Sequence, residues 1–274
     1  MDNRKRQEKE FHDNLRRVEG DSHVTATRWS PDIECTIKSN PLWTNMKYYS
    51  VERRSRQMVL SWFNNNCANK RVLDYCCGNG EDSRVIAQYG AKEVVGIDIS
   101  EISIKNCIQL AAKEGVSAVT TYEVRDAEDT GFENDSFDII TEYGALHHID
   151  LDKAFSEMAR MLRSDGKIIC NEALAHNPGI HLYRKLTPHL RTNWEVEHIM
   201  RKDDFERARK YFGKIELCFF HLFSLLAVPF RKTFLFLPLL STLEGIDAML
   251  LKIPGIRWWA WQVVVILSQP LKKE

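Results

Sequence analysis

Between Arg71 and Leu174, short runs rich in β-branched and other apolar residues alternate with stretches of helical spacing, and this alternation constrains the fold more than any other feature. RVLDYCC leads into a turn at Gly78-Asn79-Gly80 and a helix through Val85-Ile86-Ala87, and EVVGIDIS leads into a helix from about Glu101 to Glu114. AVTTYEVRD and FDIITEYGAL follow, then the helix LDKAFSEMARMLR, a turn at Ser164-Asp165-Gly166 and the strand KIICNEAL. Strands separated by helices are joined by crossovers, and crossovers make parallel sheets covered on both faces. The expected architecture is therefore a doubly wound α/β fold, with right-handed connections and ligands at the carboxyl ends of the strands.

The flanks read differently. Residues 1–50 are polar and aromatic by turns, with Trp29, Trp43, Tyr48 and Tyr49 around Pro31 and Pro41, and form a helical or irregular cap without a core of its own. A helix follows from Val51 to Asn66, with Met58, Leu60, Trp62 and Phe63 as its apolar stripe. The remaining chain, 51–274, reads as one domain. Within it, 175–212 is rich in His, Arg and aromatic residues and is expected as an insertion over the strand ends, while 228–257 is an apolar, proline-interrupted helical insertion. KIELCFFHLF supplies a sixth strand, and WWAWQVVVILSQP a closing one that Pro270 ends.

Composition excludes several classes. Lys+Arg and Asp+Glu balance at 38 each, so the chain lacks the positive field that draws a protein onto nucleic acid, and no nucleic-acid partner is expected. The first residues are charged, without the apolar region of a secretory signal. The seven cysteines include no C-x-x-C pair, which fits reduced thiols and a cytosolic address, and no His/Asp cluster has metal-ligand spacing, so no metal is predicted. The most apolar window, Leu217 to Phe230, contains His221 and Ser224 and falls short of the roughly 18 apolar residues a membrane span needs. The apolar C-terminal part has two readings. The favoured one is a strand and helical hairpin roofing a greasy pocket; the other is a peripheral membrane contact with Arg231, Lys232, Trp258 and Trp259 at headgroup level.

The segment Val72-Leu73-Asp74-Tyr75-Cys76-Cys77-Gly78-Asn79-Gly80 runs from a buried strand into a glycine turn, where Gly78 and Gly80 allow a tight bend and close approach to a ligand. Dinucleotide enzymes use a similar turn, but Ser83 stands where their third glycine would be, and Glu81 and Asp82 put negative charge where a pyrophosphate would sit. Asp98, at the tip of the second strand, is placed to accept hydrogen bonds from both hydroxyls of a ribose. Asp126, after the third, could accept one from an adenine amino group.

Taken in order, VLDYCCGNG, VVGIDIS, VRDAED, SFDIITEYGALHHID and MARMLRSDGKIIC resemble the core of the class I S-adenosylmethionine-dependent methyltransferases over roughly residues 70–173. The resemblance implies a mostly parallel seven-stranded, Rossmann-like sheet and S-adenosylmethionine as cofactor. It also implies that Asp74, Cys76 and the Gly78-Asn79-Gly80 turn hold the methionine moiety, Asp98 the ribose, Ile99 the adenine face, and Asp126 with Ala127 the adenine edge, while Tyr143 lines the pocket. The Tyr143-Gly144-Ala145-Leu146 run lacks the Asn/Asp-Pro-Pro-Tyr motif of enzymes that methylate exocyclic amines of nucleic acid.

Methyl transfer from an activated sulfonium mainly requires alignment, and a hydroxyl acceptor requires a base as well. His148 and His147, following the fourth strand at the same rim, are the candidate bases, with loop-holding hydrogen bonds as the alternative role. His176, His181, Tyr183, Arg184, His189, Arg191 and His198 are either a solvated insertion or a substrate wall for an acidic acceptor. Cys170, inside an apolar strand, reads as a buried thiol. The expected function is methyl transfer to a small-molecule acceptor, most simply to oxygen on a hydrophobic or acidic metabolite. The alternatives are a non-catalytic cofactor-binding partner and an NAD-dependent oxidoreductase.

Overall fold

A computed structural model describes residues 2–16, 37 and 41–272. Trp29, Pro31 and Cys35 lie outside the described residues.

The central sheet is made of β1 (Arg71–Tyr75), β2 (Glu93–Asp98), β3 (Thr120–Val124), β4 (Phe137–Tyr143), β5 (Leu162–Ala173), β6 (Phe212–Phe220) and β7 (Gln262–Pro270), in spatial order β3-β2-β1-β4-β5-β7-β6. The first five strands are parallel; β7 runs antiparallel between β5 and β6. The chain reverses direction of winding between β1 and β4, and there a doubly wound sheet opens its crevice. The helices are α1 (Asn3–Arg16), α2 (Arg53–Asn66), α3 (Glu81–Gln88), α4 (Glu101–Lys113), α5 (Leu151–Met161), α6 (Pro178–Leu186), α7 (Asn193–His198), α8 (Lys202–Ala208) and α9 (Phe236–Leu250). This is the seven-stranded, Rossmann-like architecture expected.

Period-2 alternation splits the strand side chains between two cores. Val72 points to the α2/α3 face, among Val59, Phe63, Ile86, Val94 and Ile169; its neighbour Leu73 points to the α5 face, among Ile140, Phe155, Met158 and Phe212. Both faces are covered, which is why β1 and β4 read as nearly continuous apolar runs. Burying a Leu- or Ile-sized side chain contributes about 1.5–3 kcal/mol each, and these residues supply most of the cohesion of the sheet.

Two local expectations are corrected. The buried seam of α2 is Ser55, Val59 and Phe63, so only Phe63 of the predicted stripe is fully buried; Met58, Leu60 and Trp62 are half-buried. The sheet takes the i, i+4, i+8 line, and the bulkier residues flank it. Ser164-Asp165-Gly166 lies within β5, as an excursion in which pairing jumps from Phe137–Leu162 to Ile139–Lys167. Gly166 is required there, because a Cβ would lie 2.8 Å from the Asp138 carbonyl oxygen.

The segment after β5 holds α6, α7 and α8. Asn177 caps α6 by accepting the Ile180 N–H, with Pro178 in the first turn. Phe205 and Ala208 of α8 join the α5-face core. The 228–257 stretch contains α9 between 3₁₀ turns, and no helix of the described residues is long and apolar enough to cross a membrane.

Candidate active site

Parallel register brings the strand-end acids to one rim: Asp74 pairs with Gly96, and Asp98 with Val124. Past β1 the chain bends through left-handed residues at Cys76 (φ 58°), Gly78 (φ 56°) and Gly80 (φ 69°). Glycine adopts this conformation freely, whereas Cys76 bears about 1–2 kcal/mol of strain. Asp74 accepts the Ser83 N–H at 3.0 Å and its hydroxyl at 2.5 Å, tying β1 to the first turn of α3. Asp98 accepts the N–H groups of Gly78 and Ser100, both at 2.9 Å, so it fixes the glycine turn to the start of α4. A carboxylate has about four acceptor positions, which leaves Asp98 acceptor capacity for a ligand.

Two cavities meet at Cys76, Tyr143 and Gly144. The smaller, about 90 Å³, is lined by Asp98, Ile99, Asp126 and Ala127. The larger, about 270 Å³, has Asp74, Gly78 and Asn79 on its sheet side and Trp43, Tyr48, Tyr49, Tyr183 and Trp261 on its far side. Of the residues expected at the cofactor, Gly80 alone lines neither cavity; a Cβ there would sit 3.0 Å from Tyr122 and Cys107, so its part is steric.

Helix α1 lies over the smaller cavity and is attached almost wholly by charge. Lys5 reaches Asp126 at 2.6 Å and Glu128 at 2.9 Å, Arg4 pairs with Glu128, Lys9 with Glu101 at 2.8 Å, and Arg16 approaches Asp98 at 3.7 Å. Among residues of α1 only Glu8 is fully buried.

His147 and His148 occupy a 3₁₀ turn after β4, with ring centroids 4.3 Å apart. His147 Nδ1 lies 2.7 Å from Glu172 Oε2 on β5, whose other oxygen accepts the Leu146 N–H at 2.6 Å. These bonds tie the turn to β5. His148 borders both cavities, and its Nδ1 lies 2.9 Å from Glu8 Oε2. Thr192 donates to the other Glu8 oxygen at 2.5 Å. Burial disfavours charge on both partners, but their mutual hydrogen bond and attraction outweigh it: Glu8 is held below, and His148 above, its ordinary pKa. Burial, with the charges of Arg16 and the two histidines, pushes neighbouring His12 well down, so it is neutral. Burial and the adjacent Glu172 charge push Glu142 well up; Glu172, against its own burial, is kept ionised by His147.

Glu8, His12 and His148 offer donor atoms all within 4.8 Å of one another, a cluster that no sequence spacing announces. The Glu8–His148 bond already accounts for two of its members. Asn171, on β5 beside Tyr143, is buried at the larger cavity with neither amide atom hydrogen-bonded. An unpaired buried amide costs about 1–3 kcal/mol, so such a group in a cavity wall fits a polar ligand.

Of the seven titratable or cationic residues singled out after β5, Tyr183, Arg184 and Arg191 line the larger cavity, whereas His176, His181, His189 and His198 are exposed. Burial and the nearby Arg191 charge lower Arg184 to about 10. Arg191 has Glu195 at 3.4 Å, and Arg184 donates to the Leu174 carbonyl at 3.0 Å. Behind the aromatic wall, Tyr143 donates to Glu52 at 2.5 Å, and the Gln262 amide donates to the same carboxylate.

Glu8, Arg16, Asn171 and Glu172 are site residues the sequence reading missed. The Asn171-Glu172 pair, polar at the end of an otherwise apolar strand, was the available signal. Glu8 gave none.

Residues 66–213 match the family described as the methyltransferase domain. The chain is 36% identical over 103 residues to the uncharacterized methyltransferase YcgJ of Bacillus subtilis, spanning 37% of this chain and 40% of that one. It is 33% identical over 101 residues to the chloroplastic tocopherol O-methyltransferase of Arabidopsis thaliana, spanning 36% and 29%. The match thus spans well under half the length of these relatives. Among solved structures, geranyl diphosphate C-methyltransferase from Streptomyces coelicolor shares the fold, with a TM-score of 0.62 at 13% identity over 98% of both chains.

Proposed function

The chain belongs to the methyltransferase-domain family, and from that premise we propose that it moves a methyl group from S-adenosylmethionine to oxygen on a small acceptor with an apolar or aromatic body and an anionic group. The observation that carries this is the junction at His148 of two chemically different cavities: one edged by Asp98 and Asp126, the other walled by aromatic rings and by Arg184 and Arg191. The acid-edged cavity suits a nucleoside, with Asp98 toward the ribose, Ile99 on the base and Asp126 with Ala127 at its edge. Asp74, Cys76, Gly78, Asn79 and Tyr143 would hold the amino-acid part, and the unpaired Asn171 amide offers it, or the acceptor, one more polar contact. Asp82 at the head of α3 is paired with Arg56 at 2.8 Å, so its charge does not weigh against a pyrophosphate; Ser83, tied to Asp74 where a dinucleotide turn has its third glycine, does.

S-adenosylmethionine supplies an already activated methyl, so the protein's work is alignment and proton removal. His148, its Nδ1 engaged by Glu8, has Nε2 left to take the acceptor proton, and Glu8 stabilises the imidazolium that results. His147, held by Glu172, packs against His148 and fixes the turn.

The test is calorimetric titration with S-adenosylmethionine, S-adenosylhomocysteine and NAD, alongside Asp98→Ala. Binding of both sulfur ligands, lost in the variant, is expected. Heat from NAD alone would refute the reading. A His148→Ala variant that binds donor normally but fails to turn over an identified acceptor separates a catalyst from a binding partner.

A further inference from the structure

Glu8 and His12 stand one turn apart on α1, and i, i+4 neighbours on a helix present their side chains on the same face. That face meets His148, in the 3₁₀ turn after β4. Glu8 Oε2 lies 2.9 Å from His148 Nδ1 and 3.8 Å from His12 Nε2, and the two imidazoles meet edge to face with centroids 5.0 Å apart. One carboxylate and two imidazoles therefore converge, each with a donor atom within 4.8 Å of the others.

The methyl-transfer reading uses only part of this cluster. Glu8 and His148 act there as partner and base, whereas His12 makes no hydrogen bond among the described residues: its Nδ1 is buried without a partner, and its Nε2 stops short of Glu8. A buried polar atom left in this way costs about 1–3 kcal/mol and calls for an explanation. Thr192 donates to Glu8 Oε1 at 2.5 Å and leaves Oε2 to the two rings, the kind of outer hydrogen bond that orients a metal-binding carboxylate. The surrounding cations are engaged elsewhere. Arg4 and Lys5 pair with Glu128 and Asp126, and Arg16, whose charge reaches His12, is drawn toward Asp98 at 3.7 Å and Ser103 at 2.9 Å.

We propose that Glu8, His12 and His148 form a binding site for a divalent transition-metal ion of the zinc class. A tetrahedral ion with bonds of about 2.0–2.1 Å holds its ligand atoms about 3.3 Å apart. The two separations from Glu8 Oε2, 2.9 and 3.8 Å, lie on either side of that value. Two imidazoles and one carboxylate select zinc, cobalt or nickel over magnesium and calcium, which take oxygen ligands. Three protein ligands leave a fourth position open, and because His12 and His148 border both cavities, water or a ligand held there can fill it. The ion takes the lone pair of His148 Nδ1, which leaves the ring proton on Nε2, so the metal-bound and base-competent forms of His148 exclude each other. It also ties α1, otherwise attached by ion pairs, to the turn after β4. The site rests on this cluster alone; only its effect on turnover rests on the methyl-transfer reading.

Calorimetric titration of the full chain, stripped with chelator and kept reduced, with zinc chloride and with magnesium chloride tests the site, and cobalt chloride, followed by its visible d–d bands, reports the ligands. Wild type should bind zinc and cobalt and ignore magnesium, with the cobalt spectrum of a nitrogen–oxygen site. Even an outer hydrogen-bond partner is worth about 10–100-fold in metal affinity, so Thr192→Val should weaken zinc about tenfold and His12→Ala about a hundredfold or more. His12→Ala carries the decision, because it removes no hydrogen bond and its metal-free melting should match wild type. Cys77 and Cys107, with sulfurs 3.8 Å apart, are the rival ligands, and Cys107→Ser should leave zinc binding unchanged. The proposal fails if wild type binds no zinc, if His12→Ala binds it as tightly as wild type, or if Cys107→Ser abolishes binding and cobalt shows a thiolate charge-transfer band. Zinc bound at this site without loss of turnover of an identified acceptor would uphold the site and overturn the base role of His148.

Discussion

Replacing Glu8 with Gln keeps a hydrogen-bonding oxygen near His148 Nδ1 but removes the charge 2.9 Å away. A hydrogen bond to a charged partner contributes about 1.5–3 kcal/mol and a neutral one about 0.5–1.5. The difference, about 1–1.5 kcal/mol, corresponds to a fall of about one unit in the pKa of His148 at 1.36 kcal/mol per unit. The assay follows the imidazole proton resonances across pH, with the His148 signal assigned by its absence in His148→Gln; no acceptor is needed. The same exchange should weaken His148 as a base and move the acid limb of turnover to lower pH. The sign for stability follows from linkage. His148, raised above its ordinary 6.5, contributes fully below 6.5 and loses its contribution as pH rises through the higher folded value; Glu8, lowered below 4.5, contributes fully above 4.5 and loses it as pH falls through the lower one. The wild-type advantage over Glu8→Gln in melting temperature should therefore be greatest between pH 4.5 and 6.5. An unchanged His148 titration in the variant would refute the pairing and the role assigned to α1.

Gly96→Ala should destabilise the fold by about 1–3 kcal/mol in denaturant melts, because a Cβ there lies 2.6 Å from Tyr122 Cδ1 and 3.1 Å from Cys77 Sγ. Adding Tyr122→Ala should make the Gly96 exchange nearly neutral, and strict additivity of the two would contradict the contact. Arg184→Met should raise KM for an anionic acceptor about tenfold or more while leaving kcat and the KM of its neutral ester nearly unchanged; equal losses for acid and ester would show that the guanidinium serves only structure.

The change of hydrophobic period along 71–174 made the sheet and its helices legible, and the acids at strand tips followed, since a strand end in a parallel sheet has only one rim to reach. Asn171 and Glu172 were only half legible: two polar residues ending an apolar strand stand out in KIICNEAL, but the sequence does not reveal which neighbour that strand pairs with. Only the register that sets Tyr143 beside Asn171 places them at the site. Glu8 was less accessible still: it meets His148 from a helix whose sequence, NRKRQEKEFHDNLR, carries no apolar stripe and whose attachment depends on where Asp126, Glu128 and Asp98 end up in space. The seam of α2 was displaced for a related reason. Trp62 and Leu60 are as apolar as the seam, but they lie off the i, i+4, i+8 line of Ser55, Val59 and Phe63 that faces the sheet, and pack against its margins.

The place of β7 sets an order in time. Among the described residues it is the last strand in sequence, yet it lies inside the sheet and is the sole sheet neighbour of β6. A nascent chain that has emerged only as far as Phe220 already owns β1 to β5, and so the acid-edged half of the site. Its β5 margin, with Ile168 and Ile169, is open, and β6 has no strand to join. Trp261 and Gln262, which wall the larger cavity, arrive with the strand that closes that margin. At roughly 5–20 residues per second of synthesis, the unpaired edge persists on the order of seconds, which makes this interval the one in which the growing protein most needs shielding from other chains.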